Sequence, residues 1–567
     1  MDSSHASAAH RLPGGSGWVA LLLEIGAALF GGATIQAADA AKPVTDLRGL
    51  IIVKSKSEIT PGGAADVSGL VVKDIPLLDG ADFKSRINPF FGKPIDDKLL
   101  KDLPQAVIAY CREKGQPLVD AGFGPQSVTN GVLQLFLVQG KLGRVVYEGA
   151  NRWSREAYTR ENLHLAPGQP IDAEQLDSDV AWLNRGKFHS VETLVRPGAA
   201  EAESDLVVRM HDRFPLSAFV GIDTDGTRIT GENRFSTGIE WGNFLWLDDH
   251  YFTYRYTADT DFRFLEGHSV TYEFPLPWRH IVRLSGTYSS VRADLPGTLT
   301  GITTSGTSYG ANLRYIINLP KLRAYTHQLS LGADYNRSDN NLEFNFLNFS
   351  ASTVDTEQLV IGYSGTLPDA WGGTSVGIEY YYSPGNLTSL NGDAAFRASY
   401  ANAKANYNYA RFNVERLTRI PGGLTWRAFG LYQWADGDLL PSAQLGLGGV
   451  DTVRGYDERT VNGSEGYYII NELYSPSFSL GGLLDATAKD QLQLLGFFDY
   501  GETGNPVLLP NERSRVTLMS AGVGMRYQVA PYVSVRFDYG WQLKDPPASI
   551  LISPETSRAH VSARITF

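Results

Sequence analysis

From about residue 213 to residue 567, short segments of the chain alternate apolar side chains with polar or small ones. Successive side chains of a β-strand point to opposite faces, so this alternation gives each segment one apolar and one polar face. In residues 533–543, for example, Val533 and Trp541 fall on one face and Asp538 on the other. Segments of roughly ten residues with aromatic side chains on the apolar face are typical of membrane β-barrels. A two-sided soluble sandwich also alternates, but the aromatic residues favour the barrel.

Sixteen segments of this kind can be identified, and they predict an all-β membrane barrel of sixteen antiparallel strands over residues 213–567. An even number of strands is the rule in bacterial outer-membrane barrels. The predicted strands are residues 216–224, 234–243, 250–259, 268–275, 280–290, 308–318, 327–336, 358–366, 374–382, 403–412, 424–434, 467–474, 491–499, 516–527, 533–543 and 558–567.

The lengths of the connections support this barrel. If the N-terminal part of the chain lies in the periplasm, every odd-numbered strand is followed by an external loop, and external loops are the longer ones in such barrels. Four long polar connections follow odd-numbered strands: residues 338–354, 385–397, 434–466 and 502–515. Four tight turns follow even-numbered strands: residues 275–279, 320–324, 368–372 and 529–532. The long connection 475–490 follows an even-numbered strand and is an exception to the rule.

The N-terminal part of the chain predicts two small α+β units with the pattern βααββ, residues 69–140 and 141–212. In the first unit, a predicted helix over residues 96–114 carries an apolar stripe at helical spacing that ends at Cys111, which we therefore expect in the core. In the second unit, Asp172 is a predicted N-cap.

The first 68 residues predict export and a connecting segment. Arg11 precedes an apolar run, and Ala38-Asp39-Ala40 offers a small-x-small cleavage site, so residues 1–40 are predicted to be a secretory signal peptide. Residues 41–68 are rich in Gly, Pro and Ser and show no amphipathic helix, so we predict a linker.

Composition and motifs exclude several classes of function. The chain has 50 basic against 61 acidic residues and no basic block, which argues against nucleic-acid binding. No H-E-x-x-H or G-x-S-x-G motif occurs, and the ten His show no ligand spacing, so we expect no catalytic residues, no metal site and no cofactor. Asp223-Thr224-Asp225-Gly226 is similar to part of a calcium loop but lacks the other ligands, and we expect a hairpin turn there.

Two short motifs stand out within the predicted barrel. Residues 445–456 form a glycine-rich run that contains Arg454, and residues 497–501 read Phe-Phe-Asp-Tyr-Gly. An arginine in an enclosed lumen needs a carboxylate partner, because an unpaired buried charge is costly. Asp499 lies on the predicted thirteenth strand, and its alternation with Phe498 places it on the lumenal face.

Together, the two motifs resemble the VRGY/F loop and the F-x-D-x-G strand of the outer-membrane POTRA-plus-barrel superfamily. Within it, the chain resembles the TpsB transporters of two-partner secretion, the ShlB/FhaC/HecB-like haemolysin secretion/activation proteins. The resemblance implies two POTRA domains, residues 69–140 and 141–212, before the barrel. It also implies that the sixth external loop folds into the barrel with Val453, Arg454, Gly455 and Tyr456 at its tip. Arg454 would then pair with Asp499, while Phe497 and Gly501 would shape the receiving surface.

The implied function is secretion of an unfolded exoprotein, a TpsA-like client that POTRA domains bind in the periplasm, through a barrel in the outer membrane. The chain ends on Phe567, which resembles the terminal signal that the barrel-assembly machinery reads. Outer-membrane lipid and this machinery are therefore the other expected partners. An insertase of the same superfamily and a passive porin are the alternatives, and an enzyme is the least favoured class.

Overall fold

The computed structural model describes residues 45–567 except 65, 117–118, 129, 151, 201–202, 228, 295–301, 345–346, 484–488, 509–512 and 548–554. The chain divides into two compact units, one up to Arg213 and one from Phe214 onwards. Among the described residues, no helix is both long and apolar enough to cross a membrane. The predicted signal peptide, residues 1–40, lies outside the described residues.

The first sheet of the N-terminal unit has four strands in the order β2-β1-β4-β3, with β1 parallel to both of its neighbours. Two helices pack on it, and α2 begins at an N-cap, Asp96, whose carboxylate accepts a hydrogen bond from the backbone N–H of Leu99 at 2.8 Å. The elements are β1 (Gly49–Val53), β2 (Gly69–Val72), α1 (Ala81–Ile87), α2 (Asp97–Glu113), β3 (Val119–Phe123) and β4 (Val132–Gln139).

The prediction that residues 41–68 are only a linker is wrong for β1. All five residues of β1 are buried, and the strand forms ladders with β2 and β4. A strand that is covered on both faces has no apolar–polar alternation, so the pattern that identified other strands is missing here. The first unit therefore begins before residue 69.

The second sheet of the N-terminal unit has the order β5-β7-β6, with β5 parallel and β6 antiparallel to β7. In the first sheet, strands β1, β4 and β3 correspond to β5, β7 and β6: they are adjacent in the same order and run in the same relative directions. The predicted N-cap is confirmed, because Asp172 accepts hydrogen bonds from the backbone N–H groups of Glu174 and Gln175. The elements are β5 (Lys141–Ala150), α3 (Glu156–Asn162), α4 (Ala173–Leu183), β6 (His189–Pro197) and β7 (Glu203–Asp212).

The C-terminal unit is a closed barrel of sixteen strands, which confirms the predicted fold class. The ladders are antiparallel throughout, and β25 pairs with β8 to close the barrel. The strands are β8 (Leu216–Asp223), β9 (Arg234–Gly242), β10 (Tyr251–Asp259), β11 (Leu265–Pro275), β12 (His280–Asp294), β13 (Ile302–Asn318), β14 (Thr326–Phe344), β15 (Leu347–Asp369), β16 (Gly372–Ser383), β17 (Tyr407–Ile420), β18 (Leu424–Ala435), β21 (Glu465–Tyr474), β22 (Asp490–Gly504), β23 (Val516–Val529), β24 (Val533–Gln542) and β25 (Ser557–Thr566); β19 (Leu445–Leu447) and β20 (Val461–Gly463) lie outside the barrel ladder.

Each of the sixteen predicted segments overlaps a barrel strand, but two predictions are wrong in detail. The predicted external loop 338–354 is largely strand, because β14 and β15 continue to 19 and 23 residues. Crossing a membrane takes roughly 9–11 residues, so these strands extend beyond it, where both faces meet water and polar residues fit. The predicted tenth strand, 403–412, is displaced, since Ala403 and Ala405 are buried in a loop cluster and β17 runs from Tyr407 to Ile420.

The outer surface of the barrel is apolar, with aromatic residues at one end. Four aromatic side chains are largely exposed at connections after even-numbered barrel strands: Trp246, Trp278, Trp371 and Tyr532. Exposed aliphatic residues occupy the strands between the two ends, among them Ile222, Leu313, Leu359, Ile361, Leu494 and Val523. An apolar band edged by aromatic residues is the surface of a transmembrane barrel.

Connections that follow odd-numbered barrel strands pack together at the other end. The connection after β16 contains a helix, α5 (Asp393–Ser399), whose Phe396 is fully buried against Tyr407 and Leu439. Asn402 Nδ2 in this connection donates to the carbonyl of Val507 in the connection after β22, at 3.3 Å. We call this cluster of connections the loop cap; its buried side chains are Val354, Tyr381, Phe396, Ala403, Ala405, Tyr407, Tyr409, Ala435, Leu439, Leu440 and Ala443.

Candidate functional site

The connection between β18 and β21, the sixth external loop and here called loop 6, folds back against the inner barrel wall. Its two short strands, β19 and β20, form a hairpin that contacts β22. Gly448 and Gly449, which follow β19, have φ values of 101° and 105°, a left-handed backbone that favours glycine. The chain can therefore turn there and carry the motif Val453 to Tyr456 to its buried position.

Arg454 is the largest fully buried side chain of the described residues, with 1 % of its surface exposed. Its Nε and Nη2 atoms donate to the two carboxylate oxygens of Asp499 at 2.7 and 2.8 Å, a bidentate pair. Its Nη1 atom donates to Glu472 at 2.7 Å and lies 3.5 Å from Asp538. The backbone N–H of Arg454 also donates to Asp499, at 3.1 Å. The structure thus brings the two motifs together, with two further carboxylates beside them.

Two of the three carboxylates around Arg454, those of Glu472 and Asp538, are shared with other arginines. Arg427 donates to Glu472 at 2.9 Å, and Arg536 donates to Asp538 at 2.7 Å. With four arginines and four carboxylates, the group is neutral overall, so each buried charge has a partner. We call it the charge cluster; its members are Arg427, Arg454, Arg526, Arg536, Glu415, Glu472, Asp499 and Asp538.

The environment of Arg454 favours its charged form. Burial alone would lower the pKa of the guanidinium, but the charges of Asp499 and Glu472 outweigh burial and raise it. The guanidinium carbon also lies 3.6 Å from the centre of the Phe497 ring, a cation–π contact. Gly522 leaves room for this ring, because a Cβ atom there would lie 2.3 Å from it.

Gly455 lets the tip of loop 6 approach the barrel wall closely. Its φ is 89°, and a Cβ atom on it would lie 2.9 Å from the backbone of Gly540 on β24. Its N–H donates to Nε2 of His560 on β25 at 3.1 Å, and its carbonyl accepts a hydrogen bond from Gln542 at 2.7 Å. Two glycines that face each other therefore permit the closest backbone contact of the tip.

The neighbouring motif residues attach the tip through apolar and hydroxyl contacts. Val453 and Tyr456 belong to a buried cluster with Leu447, and the Tyr456 hydroxyl lies 2.8 Å from the carbonyl oxygen of Met519. Gly501 leaves space for the Leu447 side chain, since a Cβ atom on Gly501 would lie 3.0 Å from it. All seven residues of the two motifs thus lie in one buried region.

Sequence reasoning did not single out Glu472, Asp538 or Gly540. Asp538 lies on the polar face of a predicted strand, but nothing in the pattern separates it, or Gly540 two positions later on the same face, from other lumenal residues. Their roles depend on which strands lie opposite loop 6, and that follows only from the closed order β21-β22-β23-β24. The useful signal in the sequence is the presence of further carboxylates at lumenal positions of the strands next to the one that carries Asp499.

The arrangement is suited to hold a loop rather than to carry out a reaction. Its strongest contacts are charge-assisted hydrogen bonds between a loop and the strands that surround it. Breaking such a buried pair is costly, yet the bonds reform when the partners return. The site therefore has the chemistry of a reversible attachment.

The chain is similar to known proteins over most of its length. The family model described as Haemolysin secretion/activation protein ShlB/FhaC/HecB matches residues 202–527, and the one described as POTRA domain, ShlB-type, matches residues 65–140. The Heme/hemopexin transporter protein HuxB of Haemophilus influenzae (strain 86-028NP) is 22% identical over 468 residues, which cover 78% of this chain and 77% of that protein. The Outer membrane transporter CdiB of Escherichia coli O6:K15:H31 is 24% identical over 447 residues, covering 76% and 73%.

Solved structures show a similar fold. CdiB from Escherichia coli superimposes with a TM-score of 0.73 at 18% identity, covering 97% of this chain and 96% of that one. CdiB from Acinetobacter baumannii gives a TM-score of 0.62 at 15% identity, with 97% of both chains covered. The combination of α+β domains and a sixteen-stranded barrel is thus shared with these transporters.

Proposed function

The chain belongs to the ShlB/FhaC/HecB family of haemolysin secretion/activation proteins, and from this premise we propose that loop 6 closes the barrel at rest and is displaced when a client passes. Members of this family are outer-membrane transporters of two-partner secretion, which export a TpsA-like exoprotein. The chain is such a transporter.

The single observation that carries the proposal is the attachment of Arg454 inside the barrel. Asp499 binds the guanidinium in a bidentate way, Glu472 binds its third side, and Phe497 covers its face. A loop held in this way occupies space that an extended polypeptide would need. Export therefore requires the Arg454 contacts to open, and their reversibility allows the barrel to close again.

The loop cap adds a second closure. The hydroxyl of Tyr400, next to α5, accepts a hydrogen bond from Asn505 at 2.9 Å, and Asn505 in turn accepts one from the backbone N–H of Ser464 in loop 6 at 3.0 Å. Three external connections are joined by these bonds. Movement of loop 6 is therefore expected to loosen the cap.

Capture of the client is assigned to the N-terminal unit, which we place in the periplasm. The sheet β5-β7-β6 has β6 at one edge, and β6 is nine residues long. An edge strand has free backbone donors and acceptors, so an extended client can add a strand there by β-augmentation. This mode suits an unfolded client because the backbone bonds do not depend on its sequence.

The remaining partners follow from the barrel itself. Its apolar outer band requires outer-membrane lipid, and insertion into that membrane is assigned to the barrel-assembly machinery. We propose that residues 1–40 direct export to the periplasm. No chemical step and no cofactor are assigned to the chain.

The experiment that tests the function compares the secreted proteins and the outer-membrane proteins of cells with and without this gene. We expect loss of one large secreted protein and an unchanged outer-membrane profile. Depletion of many membrane barrels would instead indicate an insertase. An unchanged secreted set, with altered permeability to small solutes, would indicate a porin.

A further inference from the structure

A second group of polar side chains lies near the tip of loop 6, outside the charge cluster. Asp225 is in the connection between β8 and β9, Glu458 is in loop 6, and His560 is on β25. One potential ligand atom from each residue lies within 4.8 Å of the other two. The three residues come from separate parts of the chain, which explains why no ligand spacing is visible in the sequence.

His560 has an unused polar atom in this group. Its side chain is only 1 % exposed, and its Nδ1 atom has no hydrogen-bond partner among the described residues. A buried polar atom without a partner costs free energy, so such an atom in a native structure calls for an explanation. A bound ion at Nδ1 would provide one, once this nitrogen has lost the proton that it carries while Nε2 accepts a hydrogen bond from Gly455.

The two carboxylates of the group lie in a locally acidic environment. Burial, together with the charges of Asp223 and Asp451, raises the pKa of Asp225 to about 7. Burial, together with the charge of Asp225, likewise raises the pKa of Glu458 to about 8. A cation between these groups would relieve both the burial cost and the repulsion.

Two arginines close to this group are engaged elsewhere. Arg558 forms an ion pair with Asp457 and donates to the carbonyl of Gly226. Arg536 binds Asp538 and the carbonyl of Val450. Neither one donates a hydrogen bond to Asp225 or Glu458 among the described contacts. Oε1 of Glu458 accepts the N–H of Val450 at 2.7 Å, so Oε2 of Glu458 and the Asp225 carboxylate are the oxygen atoms available for a ligand.

We propose that Asp225, Glu458 and His560 form a binding site for a divalent transition-metal ion of the Zn²⁺ type. One imidazole nitrogen and two carboxylate oxygens are ligands that Zn²⁺ accepts, with a fourth position left for water. Ca²⁺ and Mg²⁺ prefer oxygen ligands alone and fit this set less well. In a tetrahedral Zn²⁺ site with bonds of about 2.1 Å, the ligand atoms lie about 3.4 Å apart. Ligand atoms that are separated by up to 4.8 Å therefore have to approach one another by as much as about 1.4 Å when the ion binds.

The ion would join loop 6 to the place where the barrel closes. Asp225 follows β8, the first barrel strand, and His560 lies on β25, the last one. Glu458 lies four residues after Arg454 and adds loop 6 to this pair. Binding therefore fixes loop 6 to the first and last strands of the barrel at a point separate from the charge cluster.

Binding at Nδ1 also affects the tip contact of Gly455. Because Nε2 of His560 accepts the N–H of Gly455, the neutral ring carries its proton on Nδ1. Coordination at Nδ1 moves that proton to Nε2, which then no longer accepts from Gly455. Binding of the ion therefore breaks the hydrogen bond between Gly455 and His560, leaves the Gly455 N–H without this acceptor, and attaches loop 6 through Glu458 instead.

The test uses the full chain in detergent micelles, titrated with Zn²⁺ in a calorimeter. We expect one equivalent to bind, and we expect Asp225→Asn and Glu458→Gln each to weaken binding at least tenfold. Both substitutions keep the side-chain shape, and an unchanged heat-dependent mobility in gels shows that the barrel is intact. X-ray absorption at the zinc edge should show a mixed nitrogen and oxygen shell at about 2.1 Å without sulfur.

The matched control is His268→Asn, which removes a half-buried histidine that lies 3.2 Å from the Glu266 carboxylate. This variant should bind Zn²⁺ as the parent does. The proposal is overturned if the parent binds no Zn²⁺, if both carboxylate variants bind it unchanged, or if only His268→Asn loses it. The readout is independent of secretion, so it does not depend on the proposed function of loop 6.

Discussion

The N-terminal unit and the barrel interior are both well packed, but by opposite kinds of side chain. The first sheet is covered by an apolar core in which Phe83, Leu103 and Cys111 are fully buried. Inside the barrel, the corresponding buried residues include Arg454 and Asp499. Apolar contacts are non-directional and tolerate small shifts, whereas a buried ion pair is favourable only with its partners in place. The apolar core of the first region therefore keeps it folded, whereas the proposed displacement of loop 6 requires the ion pairs of the second region to separate.

The largest effect is expected when the buried cation of the barrel interior, Arg454, is removed. Arg454→Ala leaves Asp499, Glu472 and Asp538 without their shared partner, and breaking a buried pair in this way costs about 3–5 kcal/mol. We expect secretion of the client to fall at least about tenfold while the barrel still inserts. Immunoblots of the culture medium and heat-dependent mobility of the barrel measure the two quantities.

The control for this variant is Arg459→Ala in the same loop. Arg459 is exposed and donates to the carbonyl of Pro441, outside the charge cluster. Its removal should leave secretion near the parent level. Normal secretion by a stably inserted Arg454→Ala protein would show that the buried charge is not needed for transport.

The apolar core should respond in a graded way. Leu103→Ala removes a fully buried side chain and is expected to lower the free energy of unfolding of the N-terminal unit by about 2–5 kcal/mol. Burial raises the pKa of the Cys111 thiol to about 11, so thiol reagents near pH 8 should react with it only after local unfolding. The rate of Cys111 labelling in urea therefore reports the change.

The exposed Val71→Ala on β2 serves as the comparison for Leu103→Ala and should change labelling by much less. Equal labelling rates for Leu103→Ala and the parent chain would contradict the assignment of this residue to a tightly packed core.

A smaller effect on barrel closure is expected from a substitution at the contact between the backbones of Gly455 in loop 6 and Gly540 on β24. In Gly540→Ala, the new Cβ atom would lie 2.7 Å from the backbone nitrogen of Gly455, so the tip of loop 6 has to move by a few tenths of an ångström or more. Overpacking of this kind costs about 1–3 kcal/mol. We expect a partly open barrel, seen as higher single-channel conductance in planar bilayers.

Gly496→Ala is the matched control for the glycine variant, because its nearest non-neighbouring atom would be 4.0 Å away. Its conductance should equal that of the parent chain. The same conductance for Gly540→Ala would mean that the tip has room that the structure does not show.

The sequence predicted most of the fold because membrane strands carry a strong pattern. Strands such as β24 face lipid on one side and the lumen on the other, so the period of two is visible. Strand β1 was missed because both of its faces are buried. The sequence predicts a loop for the polar outer parts of β14 and β15, since strands outside the membrane need no apolar face.

The candidate site was only half visible in the sequence, for a similar reason. Arg454 and Asp499 belong to short motifs that a resemblance identifies. Glu472, Asp538 and His560 are single polar residues on lumenal faces, and their importance comes from strands that meet only after the barrel closes. Local pattern carries no information about such long-range contacts.

The most direct test of the central claim locks loop 6 in its resting place. Leu447 in loop 6 lies next to Gly501 on β22, where a Cβ atom would be 3.0 Å from the Leu447 side chain. Leu447→Cys and Gly501→Cys are introduced together with Cys111→Ser, and the two single-cysteine chains serve as controls. Secretion by the oxidised double variant should be lost and should return on reduction, with both single-cysteine chains unaffected by oxidation. Full secretion while the disulfide is intact would contradict the claim that loop 6 has to leave the barrel wall for a client to pass.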